Sequence, residues 1–145
     1  MKNSKREEII SHSAKKLFNI VLDIESYPEY IPWCTKMVVN KKENDEIFAD
    51  MYVKYKFILA QKFGSHVKFD KKNLTIETNY IEGPLKDLTT NWKFEEIDKR
   101  NSKIIFYVNF QFKNYFHQKI AETFYPLIEN KMINSFKQRA DNILD

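Results

Sequence analysis

The chain has 145 residues, of which 43% are apolar, 15% aromatic and 30% charged, and its net charge is +4. That is the length of one domain, with enough Phe, Tyr and Trp to exclude intrinsic disorder and no apolar run long enough for a spanning helix. The two glycines, Gly64 and Gly83, exclude a glycine-rich phosphate loop, and the lone Cys34 excludes a disulfide framework or a thiolate zinc site.

Glu7 to Ser11 reads as a short first strand. Ser13 is placed to cap a helix, because Ala14, Leu17, Phe18 and Val21 then follow at the spacing of one buried face. Pro28 and Pro32 push Tyr27 and Ile31 out of helical geometry, so Asp23 to Cys34 is expected to be a short turn-like helix and a tight loop. From about Thr35 to Lys113 the period becomes two. Ile47, Ala49, Met51, Val53 and Tyr55 alternate with polar or outward positions as far as Lys56. Phe63, Val67 and Phe69 flank a polar strand centre. Leu74, Ile76, Thr78 and Tyr80 form one set, Leu88, Thr90, Trp92 and Phe94 the next, and Ile104, Phe106, Val108, Phe110 and Phe112 the last. Turn signals at Glu43 to Asp45, Asp70 to Asn73, Gly83-Pro84 and Asp98 to Ser102 separate them, which predicts an antiparallel meander covered on one face.

Helical spacing returns with Ile120, Phe124, Leu127, Ile128, Met132, Phe136, Ala140 and Ile143. Pro126 is expected to start this helix at its first position, after a shorter helix from about Phe116, and the long helix is expected to run to Leu144. With no repeat, linker or composition break, residues 1–145 read as one α+β domain, a curved sheet packed on one long helix.

Such a sheet leaves a concavity that side chains or a guest must fill. Met51, Met132 and Phe136 suit a greasy guest, although an aromatic stripe at strand or helix spacing is equally the mark of plain core. Catalytic constellations are sparse. Cys34 has no base near it in sequence, Pro28 interrupts the Glu25 and Glu29 pair, and His12, His66 and His117 lie far apart without metal-ligand spacing. No catalytic group and no metal are expected. The modest basic excess is compatible with a solvated surface or with a basic face turned toward anionic lipid or RNA.

Leu17 to Cys34, containing Asp23 and then Tyr27-Pro28-Glu29-Tyr30-Ile31-Pro32-Trp33-Cys34, resembles the signature of the coenzyme Q-binding branch of the START (helix-grip, polyketide cyclase-like) superfamily. Gly83-Pro84-Leu85-Lys86-Asp87-Leu88 with Trp92-Lys93-Phe94, and Met132 to Ala140, resemble two further segments of that family. The chain departs from it in Leu85, where Phe is usual, and in Pro126. The resemblance implies a seven-stranded antiparallel sheet gripping the last helix, two short helices after the first strand, and a hydrophobic tunnel between sheet and helix.

It also implies ubiquinone or a similar prenyl lipid as a bound ligand rather than a redox cofactor, and a role supporting respiration. The expected ligand-contacting residues are Tyr27, Tyr30, Ile31 and Trp33 of the loop; Met51, Val53, Tyr80, Leu85, Leu88, Trp92, Phe106 and Val108 of the sheet; and Phe124, Ile128, Met132 and Phe136 of the last helix. Tyr80 or Trp92 would donate to the head group, and the Tyr27 to Trp33 loop would form a gate or a lip touching an anionic membrane. Similar bacterial proteins are named ribosome association toxins, which makes the large ribosomal subunit the alternative partner. DNA is not expected. An aromatase or cyclase, as in related grip-fold enzymes, would have only Tyr80, His66 or His117 to work with. The lysine-rich start lacks the apolar stretch of a signal peptide, so the expected location is the cytoplasm, with peripheral contact at the inner membrane.

Overall fold

A computed structural model describes residues 2–55 and 58–143. In chain order the elements are β1 (Lys2–Ile10), α1 (Ala14–Leu22), a 3-10 helix (Ile24–Glu29), β2 (Cys34–Glu43), β3 (Glu46–Tyr55), β4 (Ile58–Asp70), β5 (Thr75–Glu82), β6 (Leu85–Asp98), β7 (Asn101–Phe112) and α2 (Tyr115–Ile143). Lys56 and Leu144, expected to belong to a strand and to the last helix, lie outside the described residues.

The strands form one seven-stranded antiparallel sheet in the order β1-β7-β6-β5-β4-β3-β2. From β2 to β7 each strand pairs with its successor, as short connections dictate. β1 instead lies beside β7, so the segment after it must carry the chain across to the opposite edge. α1 and the 3-10 helix make that crossing. Ser13 caps α1 by accepting the amide of Lys16 at 3.3 Å, and Ala14, Leu17, Phe18 and Val21 are buried, as their spacing predicts. Phe18 meets Phe94 edge-on at 5.9 Å. In β7 the two-residue period is fully realised, with Ser102, Ile104, Phe106, Val108 and Phe110 buried in alternation. Bulges in the β2–β3, β3–β4, β4–β5 and β6–β7 pairings bend the sheet over α2. Gly83 turns the chain into β6 with φ +142°, and a Cβ there would lie 2.7 Å from the Lys62 carbonyl oxygen.

Three expectations are corrected. β1 begins at Lys2 rather than Glu7, because Lys2 to Ile10 pair without interruption with Phe110 to Ser102. Leu74 is not a strand residue. It closes the β4–β5 turn with φ +55°, where its carbonyl accepts the Phe94 amide at 3.0 Å and its side chain rests on the core. α2 is one helix of 29 residues with Pro126 inside it. Pro126 is exposed, so its ring meets solvent rather than the sheet. The helix is also fastened on both sides of it: Gln118 holds the Phe112 amide at 2.6 Å, and Asp141 pairs with His12 at 2.8 Å.

The apolar spacing in α2 also behaves differently from a single face. Phe116, Ile120, Phe124, Ile128, Met132, Phe136 and Ala140 recur every fourth residue, and on a helix of about 3.6 residues per turn such a row drifts by about 40° at each step. It therefore winds from solvent into the protein. Phe116 is 68% exposed, Phe124 37%, Phe136 4% and Ala140 0%.

Candidate functional site

The concave sheet face, the 3-10 helix and the second half of α2 enclose an apolar cavity of about 170 Å³. Its inner wall is buried: Val21 and Ile24, Ile31 of the loop, Ala49 and Val67 of β3 and β4, and Ile76, Trp92, Phe106 and Phe136. The half-buried rim carries Trp33, Met37, Met51, Phe63, Leu88 and Met132. Three of the chain's four methionines and both of its tryptophans are thus in this lining. Unbranched thioether side chains suit an aperture that must accept guests of varying shape.

The polar part of the wall is narrow. Ser65 on β4, Thr78 on β5 and Thr90 on β6 put three hydroxyls on one side, Thr78 and Thr90 being direct cross-strand partners. None of the three enters a side-chain hydrogen bond among the described residues, and neither does the indole N–H of Trp92. Among the described lining residues Tyr27 is the one with an ionisable oxygen, and its hydroxyl donates to the Val21 carbonyl. Burial pushes its pKa well above the ordinary tyrosine value, so it stays a neutral hydrogen-bonded phenol.

Of the residues expected to contact a ligand, Tyr27, Ile31, Trp33, Met51, Leu88, Trp92, Phe106, Met132 and Phe136 line this cavity. Seven lie elsewhere. Val53, Leu85 and Val108 are buried beyond it in the sheet. The Tyr80 hydroxyl accepts the Leu85 amide at 2.9 Å and so secures the Gly83-Pro84 turn. Tyr30 packs on Tyr27 at 6.1 Å and Phe136 at 5.7 Å, beneath the Arg139 guanidinium at 4.9 Å, which itself reaches Glu29 at 3.4 Å. Phe124 and Ile128 stand on the part of the four-residue row that has not yet turned inward. The Tyr27 to Trp33 loop consequently caps the core with its rings instead of projecting as a lip.

Sequence reasoning missed Val21, Ile24, Met37, Ala49, Phe63, Ser65, Val67, Ile76, Thr78 and Thr90 as lining residues. Thr78 and Thr90 carried a usable signal, since each is a hydroxyl in the inward phase of an otherwise apolar strand. Met37 carried none, because β2 lacks a clean alternation.

The remaining reactive groups lie away from the cavity. His66 stacks on Phe48 at 4.2 Å on the other sheet face and bonds Glu46 at 2.8 Å. His12 pairs with Asp141, and His117 is exposed on α2. Cys34 is buried, its thiol contacting the Lys36 carbonyl at 3.7 Å, and burial raises its pKa. At pH 8 it therefore remains the protonated, unreactive form. An aromatic disulfide reagent is expected to titrate it in the unfolded chain within minutes and to leave it largely unmodified in the native protein, as absorbance of the released thiolate will report.

Comparison with known proteins agrees with this geometry. The family model described as polyketide cyclase / dehydrase and lipid transport matches residues 10–137. The chain is 29% identical over 140 residues to a Rickettsia prowazekii (strain Madrid E) protein named ribosome association toxin RatA, with 94% of each chain covered. It is 25% identical over 137 residues to a Dictyostelium discoideum protein named coenzyme Q-binding protein COQ10, mitochondrial, covering 92% of this chain and 66% of that one. The crystal structure of the Zhui aromatase/cyclase from Streptomyces sp. R1128 superposes with a TM-score of 0.91 at 11% identity, covering 99% of this chain and 96% of that chain, a likeness of fold alone.

Proposed function

Since the chain belongs to the polyketide cyclase / dehydrase and lipid transport family, we propose that it binds and carries a hydrophobic small molecule without transforming it, the guest being ubiquinone or a similar prenyl lipid and the role a support of respiration. One observation carries this reading: among the described residues the cavity offers an apolar wall, an adaptable methionine rim and a strip of unpartnered hydroxyls, but no carboxylate, imidazole or amine. A ring with carbonyl oxygens finds donors in Ser65, Thr78, Thr90 and the Trp92 indole. About 170 Å³ accommodates roughly one small ring, since an engineered cavity of about 150 Å³ takes benzene. The prenyl tail would run out past Met37, Met51 and Met132. Its burial, at about 25 cal/mol per Å², would dominate affinity.

Both tryptophans line the cavity, so a short-chain quinone seated there must quench their fluorescence. Titration is expected to give saturable quenching at one equivalent, and organic extracts of protein purified without detergent are expected to contain a quinone or prenyl lipid by mass spectrometry. Unsaturable quenching together with an empty extract would overturn the reading.

A second reading, association with the large ribosomal subunit as a translation inhibitor, is favoured by the similarity to the Rickettsia prowazekii protein along nearly the whole chain and by the +4 charge. It requires cosedimentation with the large subunit that weakens steeply as salt rises. Protein left in the supernatant at low salt would dispose of it.

A further inference from the structure

We propose that the outward face of the first half of α2 is a docking surface for an anionic lipid bilayer. The winding row described above leaves Phe116 68% exposed, and Leu127 on the same side is 48% exposed. On a helix of about 3.6 residues per turn Phe116, Ile120, Phe124 and Leu127 share an arc of about 80°. Tyr115, 76% exposed at the helix start, adds an amphipathic ring of the kind that settles at headgroup level.

The charges are sorted around this arc. The two carboxylates of the helix's first half are drawn to the protein side. Glu129 is 8% exposed and accepts hydrogen bonds from Tyr125 at 2.5 Å and Ser4 at 3.2 Å, while Glu122 accepts from Gln118 at 2.9 Å. Lys119 stands beside the arc, 5.4 Å from the Tyr115 ring centre and 3.9 Å from Glu122, and Lys113 lies at the same end, just before the helix. An apolar stripe with lysines at its starting end and, among the described residues of the helix, no carboxylate on it is the pattern of a helix lying in an anionic interface.

A second copy of the chain fits less well, because symmetric pairing of this face would bring its lysines together. RNA fits less well because the centre of the face is hydrocarbon. The same row continues through Ile128 to Met132 on the cavity rim, so the docked face leads into the cavity lining. The inference goes beyond the carrier reading and does not need it, since it can be tested on vesicles free of quinone.

The test uses the full chain with vesicles of phosphatidylcholine alone or with about one-third phosphatidylglycerol. The native protein is expected to float with the anionic vesicles, binding them about tenfold or more tightly than neutral ones, and to lose binding as salt rises. Phe116→Glu combined with Leu127→Glu, both exposed positions, is expected to keep the native circular dichroism and quinone quenching while losing about tenfold or more of vesicle affinity. Equal binding of both vesicle types, no flotation, or full flotation of the double variant would overturn the proposal. So would a double variant that changes only the sedimentation of a dimer or cosedimentation with the large ribosomal subunit, since the face would then belong to another partner.

Discussion

Phe136→Ala is expected to lower the stability of the fold by about 3–5 kcal/mol, the cost of removing a large ring from a core that cannot collapse around the space. Phe136 is 4% exposed and is the hub of an aromatic cluster, with Tyr27 at 5.5 Å, Tyr30 at 5.7 Å and Trp92 at 5.3 Å, each meeting it edge-on. It also ties the second half of α2 to the 3-10 segment and to the sheet. The cavity already borders one side of the ring, so truncation would extend an existing void rather than open a separate one that neighbours could refill. Thermal unfolding followed by far-ultraviolet circular dichroism is expected to show a midpoint lower by roughly 10 °C. A fall of less than about 1 kcal/mol in urea would mean that the ring does not join helix to sheet.

Thr78→Phe is expected to close the cavity. Thr78 is central on β5, opposite Thr90, with its side chain in the wall. A phenyl ring is well tolerated in a strand and would occupy much of about 170 Å³. Quinone affinity should fall by about a hundredfold while the unfolding midpoint stays level or rises, as it does when a void is filled without strain. Thr78→Val separates the two contributions, because it keeps the shape and removes one donor. A drop of about tenfold is expected from that change, the weight of one hydrogen bond. Fluorescence titration measures both, and a Thr78→Phe variant that still quenches fully would place the guest elsewhere.

The strands from β3 to β7 were legible because a sheet covered on one face leaves a period of two in the sequence; β7 is the plainest case, whereas β2 carries no such alternation. α1 was legible from its cap and its apolar spacing. The last helix was misread for a definable reason. Apolar residues at every fourth position look like one stripe when read linearly, yet at 3.6 residues per turn they wind around the cylinder, and only the part from Met132 onward reaches the interior. Pro126 seemed to demand a break because a sequence does not reveal which side of the helix its ring will occupy. The loop's family resemblance located the right corner of the cavity. It did not reveal that Tyr30 is held in a stack under Arg139, a contact made across 109 residues of chain. The hydroxyl strip depends on register between three strands, and periodicity within any one of them cannot supply that.

The strand order bears on how the protein reaches its native state. Lys2 pairs with Phe110, so the first strand has no sheet neighbour until almost the whole meander exists. The hairpins from β2 to β7 close over short spans and can zip in succession, whereas β1 must wait and dock afterwards, with the loop-closure cost of a long intervening chain. Until it does, β7 presents an open edge, and α2 lacks the Ser4 and Arg6 side chains that meet Glu129. The folding domain is therefore most exposed to misassociation just before β1 returns to complete the sheet.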